Sequence, residues 1–359
     1  MTSKERIVAA LEGQPTDRTP WSPFLAYVWE HFPKEIQELG QPEFLRRVGA
    51  DPMWRGAGGP VQGSGPSEIE YRSFEENGVN ITVIETPVGS VRSGYKPSPQ
   101  GNTSFLVEHA LKKEEDFKVW LWIEERQKYV YNDQYVKDHL AGAGGEGLTI
   151  GMLIPRCKSA YQSMVEHLVG TEELVYAGVD YPQTVKTLWQ QMVANDLEAV
   201  RLACQCEDLT YFLTWEDSGT QNYSPTQYDQ FIGSEIGQWC DIMAAAGKKY
   251  VQHACGNVKA LIKRMVAHGT SVIESISPPP TGDISIADAR RAMGNRMGII
   301  GGIEPTMFLN LSIEQLEPYV RGVIADAAGG PFVLANSDSC PPGVTMEKFK
   351  LVGDIVRNP

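Results

Sequence analysis

The stretch Leu209-Thr-Tyr-Phe-Leu-Thr-Trp215, followed at once by Glu216-Asp217-Ser-Gly-Thr-Gln221, shows how most of the chain is organised. Aromatic and β-branched residues of this kind are typical of a buried strand, and the polar residues after them indicate a loop at the strand's end. The same order recurs through the second half of the chain, where short apolar runs alternate with longer helical patterns. This alternation predicts an α/β fold in which βα units surround a parallel sheet.

The predicted elements are regular enough to suggest a barrel. Strands are predicted at Thr19–Leu25, Leu148–Leu153, Leu209–Trp215, Tyr250–His253, Ser271–Ile276, Met297–Ile300 and Pro331–Ala335. Helices are predicted at Pro182–Arg201, from the N-cap Ser224 to about Gly247, and from the N-cap Ser312 to about Ala328. We therefore expect a (β/α)8 TIM barrel that occupies residues 1–359 as a single domain.

One region departs from this rhythm. Short strands with Asn77-Gly78 and Val88-Gly89 turns are predicted at about 69–74, 80–84 and 90–95, which is an antiparallel pattern. The stretch from 112 to 140 is strongly charged and is predicted to be helical. We interpret residues 51–140 as a β-rich N-terminal insertion in the barrel, accompanied by extra helices.

Composition excludes several classes of function. The chain has 45 acidic and 32 basic residues and a formal net charge of −13, which argues against nucleic acid or an anionic membrane as the main partner. No apolar run approaches the roughly 18 residues that a membrane span needs, and the N-terminus lacks the apolar segment of a secretory signal. Six cysteines in 359 residues are too few for a disulfide scaffold. The expectation is a cytoplasmic enzyme with reduced thiols.

Ionisable residues follow several of the predicted strands. In a parallel barrel the active site lies at the C-terminal ends of the strands, so these residues should meet on one face. Unpaired charge inside a barrel would cost several kcal/mol, which favours a shared polar cleft over core packing. The residues in this position are Glu216, Asp217, His253, Cys255, Glu274, Glu304, Asp338 and Cys340.

A zinc site is the sharpest hypothesis for this cleft. Residues two apart on a strand point the same way, so His253 and Cys255 should face one site, and Cys340 is a candidate third ligand from the last strand. Two thiolates and an imidazole would leave a fourth position open for substrate or water, and Glu216 could fill that position or act as an acid. The alternative is that His-x-Cys occurs by chance and that these thiols are buried hydrophobes. The second reading applies to Cys157, Cys204, Cys206 and Cys240.

Several motifs, taken together, resemble the uroporphyrinogen decarboxylase superfamily over essentially the whole chain. No single one of them is specific. They are Thr2 to Leu11, Gln14 to Pro20, Glu216-Asp217-x-Gly219-Thr220-Gln221, Ser224-Pro225-x-x-Tyr228, His253-x-Cys255-Gly256-Asn257-Val258, Gly301-Gly302-Ile303 and Pro341-Pro342-Gly343-Val344. The resemblance implies a (β/α)8 barrel, in agreement with the alternation of strands and helices.

The superfamily contains two chemistries. Its decarboxylases resemble one another in an arginine-rich segment after the first strand, which holds a polyanionic tetrapyrrole, whereas the corresponding segment here, Phe24 to Pro33, contains no arginine. The other branch comprises cobalamin-dependent methyltransferases, which resemble this chain in a His-x-Cys … Cys zinc pattern that maps onto His253, Cys255 and Cys340. Cys340 is followed by two prolines instead of standing in a Gly-Cys-Gly context, which makes thiol methylation less favoured.

The resemblance therefore implies an O-demethylase-type methyltransferase I. It would move a methyl group from a small donor, of which a methoxylated aromatic is favoured, to the cobalt of a cobalamin carried by a partner corrinoid protein. Zinc would activate the leaving oxygen, Glu216 or Asp217 would protonate it or orient the donor, and Trp215, Glu304 and Asp338 would bind the donor. The alternatives are a uroporphyrinogen decarboxylase-like decarboxylase, a methylcobamide:thiol methyltransferase, and a barrel that only binds a ligand. The oligomeric state is left open, with a homodimer as one option.

Overall fold

The computed structural model describes residues 1–99, 103–143 and 145–358. Its central element is a parallel sheet of seven strands, with neighbours in the order β1-β8-β9-β10-β11-β12-β13. The predicted α/β class and the predicted strands from residue 148 onward are confirmed. The strands of this sheet are β1 (Met53–Arg55), β8 (Leu148–Met152), β9 (Tyr211–Thr214), β10 (Lys249–His253), β11 (Val272–Ile276), β12 (Gly298–Ile303) and β13 (Phe332–Asn336).

The predicted first strand, Thr19–Leu25, differs from the prediction. Within it, the structure has a single parallel bridge between Trp21 and Leu334 of β13. The Trp21 carbonyl also accepts a hydrogen bond from the amide of Asp51, just before β1. The segment around Trp21 therefore lies between the two edge strands of the sheet without forming an eighth strand. Pro20 and Pro23 explain this, because proline has no amide hydrogen to contribute to a ladder.

Antiparallel strands lie between β1 and β8 in the chain. Four of them form a separate sheet in the order β3-β4-β5-β6, and two others pair as β2-β7. The charged region from 112 to 140 contains two helices, as predicted, but also strand β7, which was not predicted. The strands are β2 (Val61–Ser64), β3 (Glu70–Glu76), β4 (Val79–Thr86), β5 (Gly89–Pro97), β6 (Ser104–Glu108) and β7 (Lys128–Tyr131).

Helices connect successive strands of the parallel sheet. Ser224 and Ser312 cap their helices through capping boxes, as the sequence predicts. The helices are α1 (Ser3–Leu11), α2 (Lys34–Gln37), α3 (Gly40–Arg47), α4 (Glu114–Glu124), α5 (Gln134–Gly142), α6 (Ala160–Ser163), α7 (Thr171–Asp180), α8 (Pro182–Ala203), α9 (Pro225–Gln227), α10 (Ser234–Ala245), α11 (Ile262–Ala267), α12 (Ile286–Met293), α13 (Pro305–Asn310), α14 (Ile313–Asp326) and α15 (Met346–Arg357), with a 3-10 turn at Trp29–His31 and π-helical turns at Met164–Leu168 and Tyr228–Gly233.

Apolar side chains fill the inside of the curved sheet. Leu213, Val251 and Ile300 belong to one buried cluster that also includes Ile7 and Leu11 of α1. Helix α1 therefore contributes to this packed interior, and space for chemistry is left at the C-terminal ends of the strands. Among the residues that the structure describes, no helix combines the length and the apolar character needed to cross a bilayer.

Candidate metal centre

The alternation of side chains along the strands places a polar layer directly above this apolar interior. Residues two apart on a strand face the same side. Val251 in the interior cluster is therefore followed on its own face by His253, Val272 by Glu274, and Met53 by Arg55. His253 and Glu274 also pair in register on the neighbouring strands β10 and β11. The C-terminal parts of these strands thus bring charged groups together in one layer.

Asp217, His253 and Cys255 form the cluster with metal-ligand geometry. One ligand atom from each lies within 4.8 Å of the other two. The Oδ1 atom of Asp217 is 3.2 Å from His253 Nε2 and 3.6 Å from Cys255 Sγ. The imidazole is 4% exposed, whereas the other two side chains are partly exposed. The cluster is accordingly anchored in the interior and open towards one side.

Glu274 and Arg55 fix the orientation of His253. The Nδ1 atom of His253 is 2.5 Å from Glu274 Oε2, and the other carboxylate oxygen of Glu274 forms an ion pair of 3.0 Å with Arg55. Burial lowers the pKa of His253, but the carboxylates of Glu274 and Asp217 outweigh burial and hold that pKa well above its ordinary value. A carboxylate on one imidazole nitrogen is the usual arrangement behind a metal-binding histidine, because it directs the other nitrogen to the metal.

Backbone strain turns Asp217 towards this site. Its φ of 46° is left-handed, which is uncommon for a residue with a side chain, and its amide donates to the His253 carbonyl. Burial raises the pKa of the Asp217 carboxyl, but His253 and Lys158 outweigh burial and leave that pKa below its ordinary value. Asp217 is therefore an anionic oxygen donor beside an imidazole and a thiol, whereas the sequence suggested an acid that acts on the leaving group.

Cys340, the predicted third ligand, is absent from the cluster in the described structure. Its side chain is fully buried among apolar residues, and its backbone forms a bridge with Tyr27. Burial raises the pKa of the thiol, which disfavours the thiolate that a metal needs. The position at the end of β13 is as expected, but the side chain belongs to the core, and Asp217 stands where Cys340 was expected.

Glu216, predicted as an acid or a fourth ligand, is occupied by the protein itself. The residue is fully buried, and its carboxylate accepts hydrogen bonds from the amide and hydroxyl of Ser159 and from the hydroxyl of Thr214, at 2.7–2.9 Å. Burial raises the pKa of this carboxyl to about 7, although these bonds lower it. The structure therefore assigns Glu216 an anchoring contact to the loop before α6.

Glu304 and Asp338, predicted to bind substrate, differ from one another. Glu304 is fully buried and caps α13, accepting from the amide of Met307 at 2.7 Å and from the hydroxyls of Thr281 and Thr306. Asp338 has a φ of 119° and is partly exposed, with one oxygen accepting from the amide of Ser339. Burial raises the pKa of Asp338, while nearby His253 lowers it. Asp338 thus remains a candidate for contact with a ligand, and Glu304 does not.

An aromatic wall borders the cluster. Trp215, the third predicted substrate-binding residue, is half-buried and stacks on Phe24 with ring centroids 5.9 Å apart and planes 14° apart. Its ring also meets the edge of the His253 imidazole at 5.0 Å. The Arg55 guanidinium lies over the ring of Phe24, 5.3 Å from its centroid. A flat apolar group would find a complementary surface here.

Three residues that contact the cluster or its supports have no role predicted from the sequence, namely Glu274, Arg55 and Lys158. Glu274 was noted at a strand end, and its position in the apolar run Val272–Ile276 was a usable signal, because a charge in a buried strand needs a partner. Arg55 lies in a strand of only three residues, too short for a periodic pattern. Lys158 follows β8 in a loop, where no sequence pattern distinguishes it from any other lysine.

The donor set of the cluster fits a zinc ion. Imidazole nitrogen, thiolate sulfur and carboxylate oxygen are all zinc ligands, and three protein ligands with an open fourth position are typical of catalytic sites. The fold and cluster thus define an α/β protein with a curved parallel sheet of seven strands and a candidate metal centre at the C-terminal ends of those strands.

Comparison with known proteins identifies the family. The family model for uroporphyrinogen decarboxylase (URO-D) matches residues 162–359, more than half of the chain, and the protein belongs to this family. The predicted family is therefore confirmed. A search of curated protein sequences gives no match.

In the comparison with solved structures, two proteins of low sequence identity match nearly the whole chain. A methyltransferase from Methanosarcina mazei is similar with a TM-score of 0.63 at 13% identity, covering 100% of this chain and 99% of that one. A B12-independent methionine synthase from Shewanella sp. W3-18-1 gives a TM-score of 0.47 at 9% identity, with 96% and 98% covered. At such identities the first likeness establishes the fold alone.

Proposed function

We propose that the protein is the substrate-side methyltransferase of a corrinoid-dependent system. It takes a methyl group from a small donor, for which we favour a methoxylated aromatic, and passes it to cobalt in a corrinoid held by a separate protein. The observation that carries this proposal is the convergence of Asp217, His253 and Cys255 beside an aromatic wall. Family membership supports the fold, and the likeness to a Methanosarcina methyltransferase agrees with the proposed reaction class.

The decarboxylase alternative needs cations that can hold several carboxylates. Two cations at the strand ends are already paired, Arg55 with Glu274 and Lys158 with Asp217 and Glu166. Breaking a buried pair of this kind to bind a substrate carboxylate would leave a protein carboxylate uncompensated. The site is better suited to a neutral donor with a flat apolar body.

The residues of the site have separable roles. Asp217, His253 and Cys255 would hold zinc, which supplies Lewis-acid activation of the donor's ether oxygen when bound. Glu274 keeps Nε2 of His253 free for the metal by accepting a hydrogen bond from the protonated Nδ1. Trp215 and Phe24 form the surface against which the donor ring lies. Asp338, with one carboxylate oxygen held by Ser339, is the side chain proposed to contact the donor's polar substituent.

The balance of the reaction is simple. The bond between the methyl carbon and the ether oxygen breaks, its electron pair leaves with the phenolate, and the reduced corrinoid of the partner provides the pair for the new carbon–cobalt bond. Because that bond forms directly, the partner must dock over the strand ends and the site must stay open there. The partial exposure of Asp217 and Cys255 is compatible with this requirement.

The test combines metal analysis with a spectroscopic assay. Purified protein is analysed for zinc and then mixed with a reduced corrinoid protein and methoxyarenes, while the cobalt spectrum is followed. We expect methylation of cobalt with the protein and none with His253→Ala, whereas Cys206→Ser, a buried thiol outside the cluster, should behave like the wild type. No methylation with any methoxyarene, methylamine or methyl thioether would contradict the proposal, and release of CO2 from uroporphyrinogen would support the decarboxylase instead.

A further inference from the structure

The ammonium group of Lys158 is buried beside the candidate metal centre. The residue is only 5% exposed, and its Nζ atom donates to Oδ2 of Asp217 at 2.5 Å and to the carbonyl of Trp215. A second carboxylate, from Glu166, lies 2.9 Å from the same nitrogen. A buried cation next to a site for a metal cation is unfavourable by itself, so its presence calls for a reason.

The loop that carries Lys158 is held rigidly on both sides. The Arg156 guanidinium forms hydrogen bonds with Glu124 and Asp196, and Ser159 donates twice to Glu216. The next residue, Ala160, donates its amide to the buried carboxyl of Glu235. Between these anchors Cys157 adopts a left-handed φ of 65°. Several buried carboxyl groups thus fix the backbone of one short loop, and the lysine is its residue nearest to the cluster.

The two oxygens of Asp217 consequently have different partners. Oδ1 faces His253 Nε2 at 3.2 Å and Cys255 Sγ at 3.6 Å, whereas Oδ2 is bonded to Lys158. A zinc carboxylate can bind through one oxygen or through both, and in the second mode the second oxygen takes a position that water or substrate would otherwise occupy. The partner of Oδ2 therefore decides how many positions Asp217 can fill.

We propose that Lys158 is a positioning residue that reserves Oδ2 of Asp217, so that the carboxylate binds metal through Oδ1 alone and one coordination position stays open for the donor's oxygen. The inference rests on the proposed function insofar as Asp217, His253 and Cys255 hold the metal. Lys158 therefore has two opposed effects. Its ammonium repels the metal ion and competes for the Asp217 carboxylate, which weakens metal binding. It also preserves the vacant coordination position on which activation of the donor depends.

This role has a signature that a merely structural lysine would lack. In Lys158→Met the repulsion disappears and Oδ2 is released, so the metal should be held more tightly, by at least about tenfold, which is the effect of one nearby unit charge on a divalent ion in a water-like dielectric. Methyl transfer should fall in the same variant because the open position is filled. Lys158→Arg keeps the charge and the donors and should restore wild-type coordination. A lysine that only stabilises the loop would instead weaken metal binding when it is removed.

The experiment uses the purified full chain loaded with Co2+ in place of zinc. Water-proton relaxation reports whether cobalt retains a bound water, X-ray absorption reports its protein ligands, and competition with a chelator reports affinity. The matched control is Lys248→Met. This substitution also removes hydrogen bonds of a lysine ammonium, to the carbonyls of Cys206 and Leu209, but Lys248 lies at the N-terminal end of β10, away from the metal centre. We expect cobalt with one bound water in the wild type and in Lys248→Met, and more tightly bound cobalt without a bound water, held by both oxygens of Asp217, in Lys158→Met.

The outcomes separate this inference from the function on which it rests. Equal coordination and affinity in Lys158→Met and the wild type overturn the role of Lys158 while leaving the metal centre intact. Absence of bound metal in the wild type overturns both. If Lys158→Met does not fold, the structure of the zinc-loaded wild type decides: Asp217 bound through Oδ1 alone, with Lys158 on Oδ2, supports the inference, and Asp217 bound through both oxygens contradicts it.

Discussion

The strand ends of β9, β10 and β11 differ sharply from those of β12 and β13, although both groups carry acidic and thiol residues. On the first side, which we call the ligand side, Asp217, His253 and Cys255 point ligand atoms at one another. On the second side, which we call the packing side, Glu304 caps a helix and Cys340 is embedded among apolar residues, whereas Asp338 stays partly exposed and remains a candidate for ligand contact. A position at the C-terminal end of a strand in the parallel sheet therefore allows a residue to lie in the site. The side chains around that residue determine whether its own side chain reaches the metal centre.

The largest expected effect tests the support of the ligand side. Replacing Arg55 by Met leaves the buried carboxylate of Glu274 with His253 as its remaining charged partner, and removing one member of a buried pair costs up to about 3–5 kcal/mol. We expect a loss of that size in the free energy of unfolding, measured by urea denaturation. The control is Arg92→Met, which removes partly exposed ion pairs on the antiparallel sheet and should cost at most about 1 kcal/mol per pair. Similar losses for the two variants would contradict the importance of the Arg55 pair.

The next effect concerns metal affinity. Glu274→Gln weakens the orientation of His253, and loss of such a partner behind a metal-binding histidine lowers metal affinity by about tenfold to a hundredfold. Competition with a chelator at fixed pH measures the change. Unaltered affinity would show that Glu274 serves the fold and not the metal ligand, and would remove one of the distinctions between the ligand side and the packing side.

A smaller effect is expected on the packing side. Glu304→Ala removes the N-cap of α13, and loss of a cap costs about 0.5–2 kcal/mol of stability. Metal content should not change, because both oxygens of Glu304 already accept hydrogen bonds from the protein. Thermal unfolding and metal analysis on the same preparation check both parts. A loss of metal would place Glu304 in the site, against this account.

The smallest effect is a pH dependence of stability. It comes from Glu235, a buried carboxyl group that lies behind the ligand side and serves packing. Burial, together with Asp196 and Glu216, raises the pKa of Glu235 well above its ordinary value. The folded state keeps this proton at pH values where the unfolded state, with a pKa near 4.5, has released it, so its contribution to stability falls as the pH rises. Glu235→Gln should match the wild type near the unfolded pKa of about 4.5, and its unfolding free energy should decline less than that of the wild type as the pH rises towards 8.5. A parallel decline in both proteins would contradict the raised pKa.

Much of the fold could be predicted because the alternation of apolar runs and helices reflects burial directly. The strands from Leu148 to Asn336 in the second half are the clearest example. The predicted strand at Thr19–Leu25 became a single bridge because Pro20 and Pro23 interrupt it, and the three residues of β1 were too few to show a period. The insertion boundaries at 51–140 and the single domain remain predictions.

The site could be predicted in part, for a physical reason that Asp217 and Cys340 illustrate. Sequence spacing tells which residues end a strand, and it located His253 and Cys255 in this way. Sequence spacing does not predict the left-handed turn that brings the Asp217 carboxylate to the imidazole. It also does not predict the apolar residues that enclose Cys340. The position of Lys158 beside Asp217 depends on contacts between residues that are distant in the chain, and such contacts produce no local sequence pattern.

The most direct measurement is the zinc content of two matched variants, Cys255→Ser and Cys340→Ser, each compared with the wild type and each checked for an intact unfolding transition. The account predicts that Cys255→Ser loses the metal, because it removes a ligand from the cluster with Asp217 and His253. It predicts that Cys340→Ser, altered only in the core, retains zinc at the wild-type level. Loss of zinc from Cys340→Ser as complete as from Cys255→Ser would contradict the assignment of the metal centre.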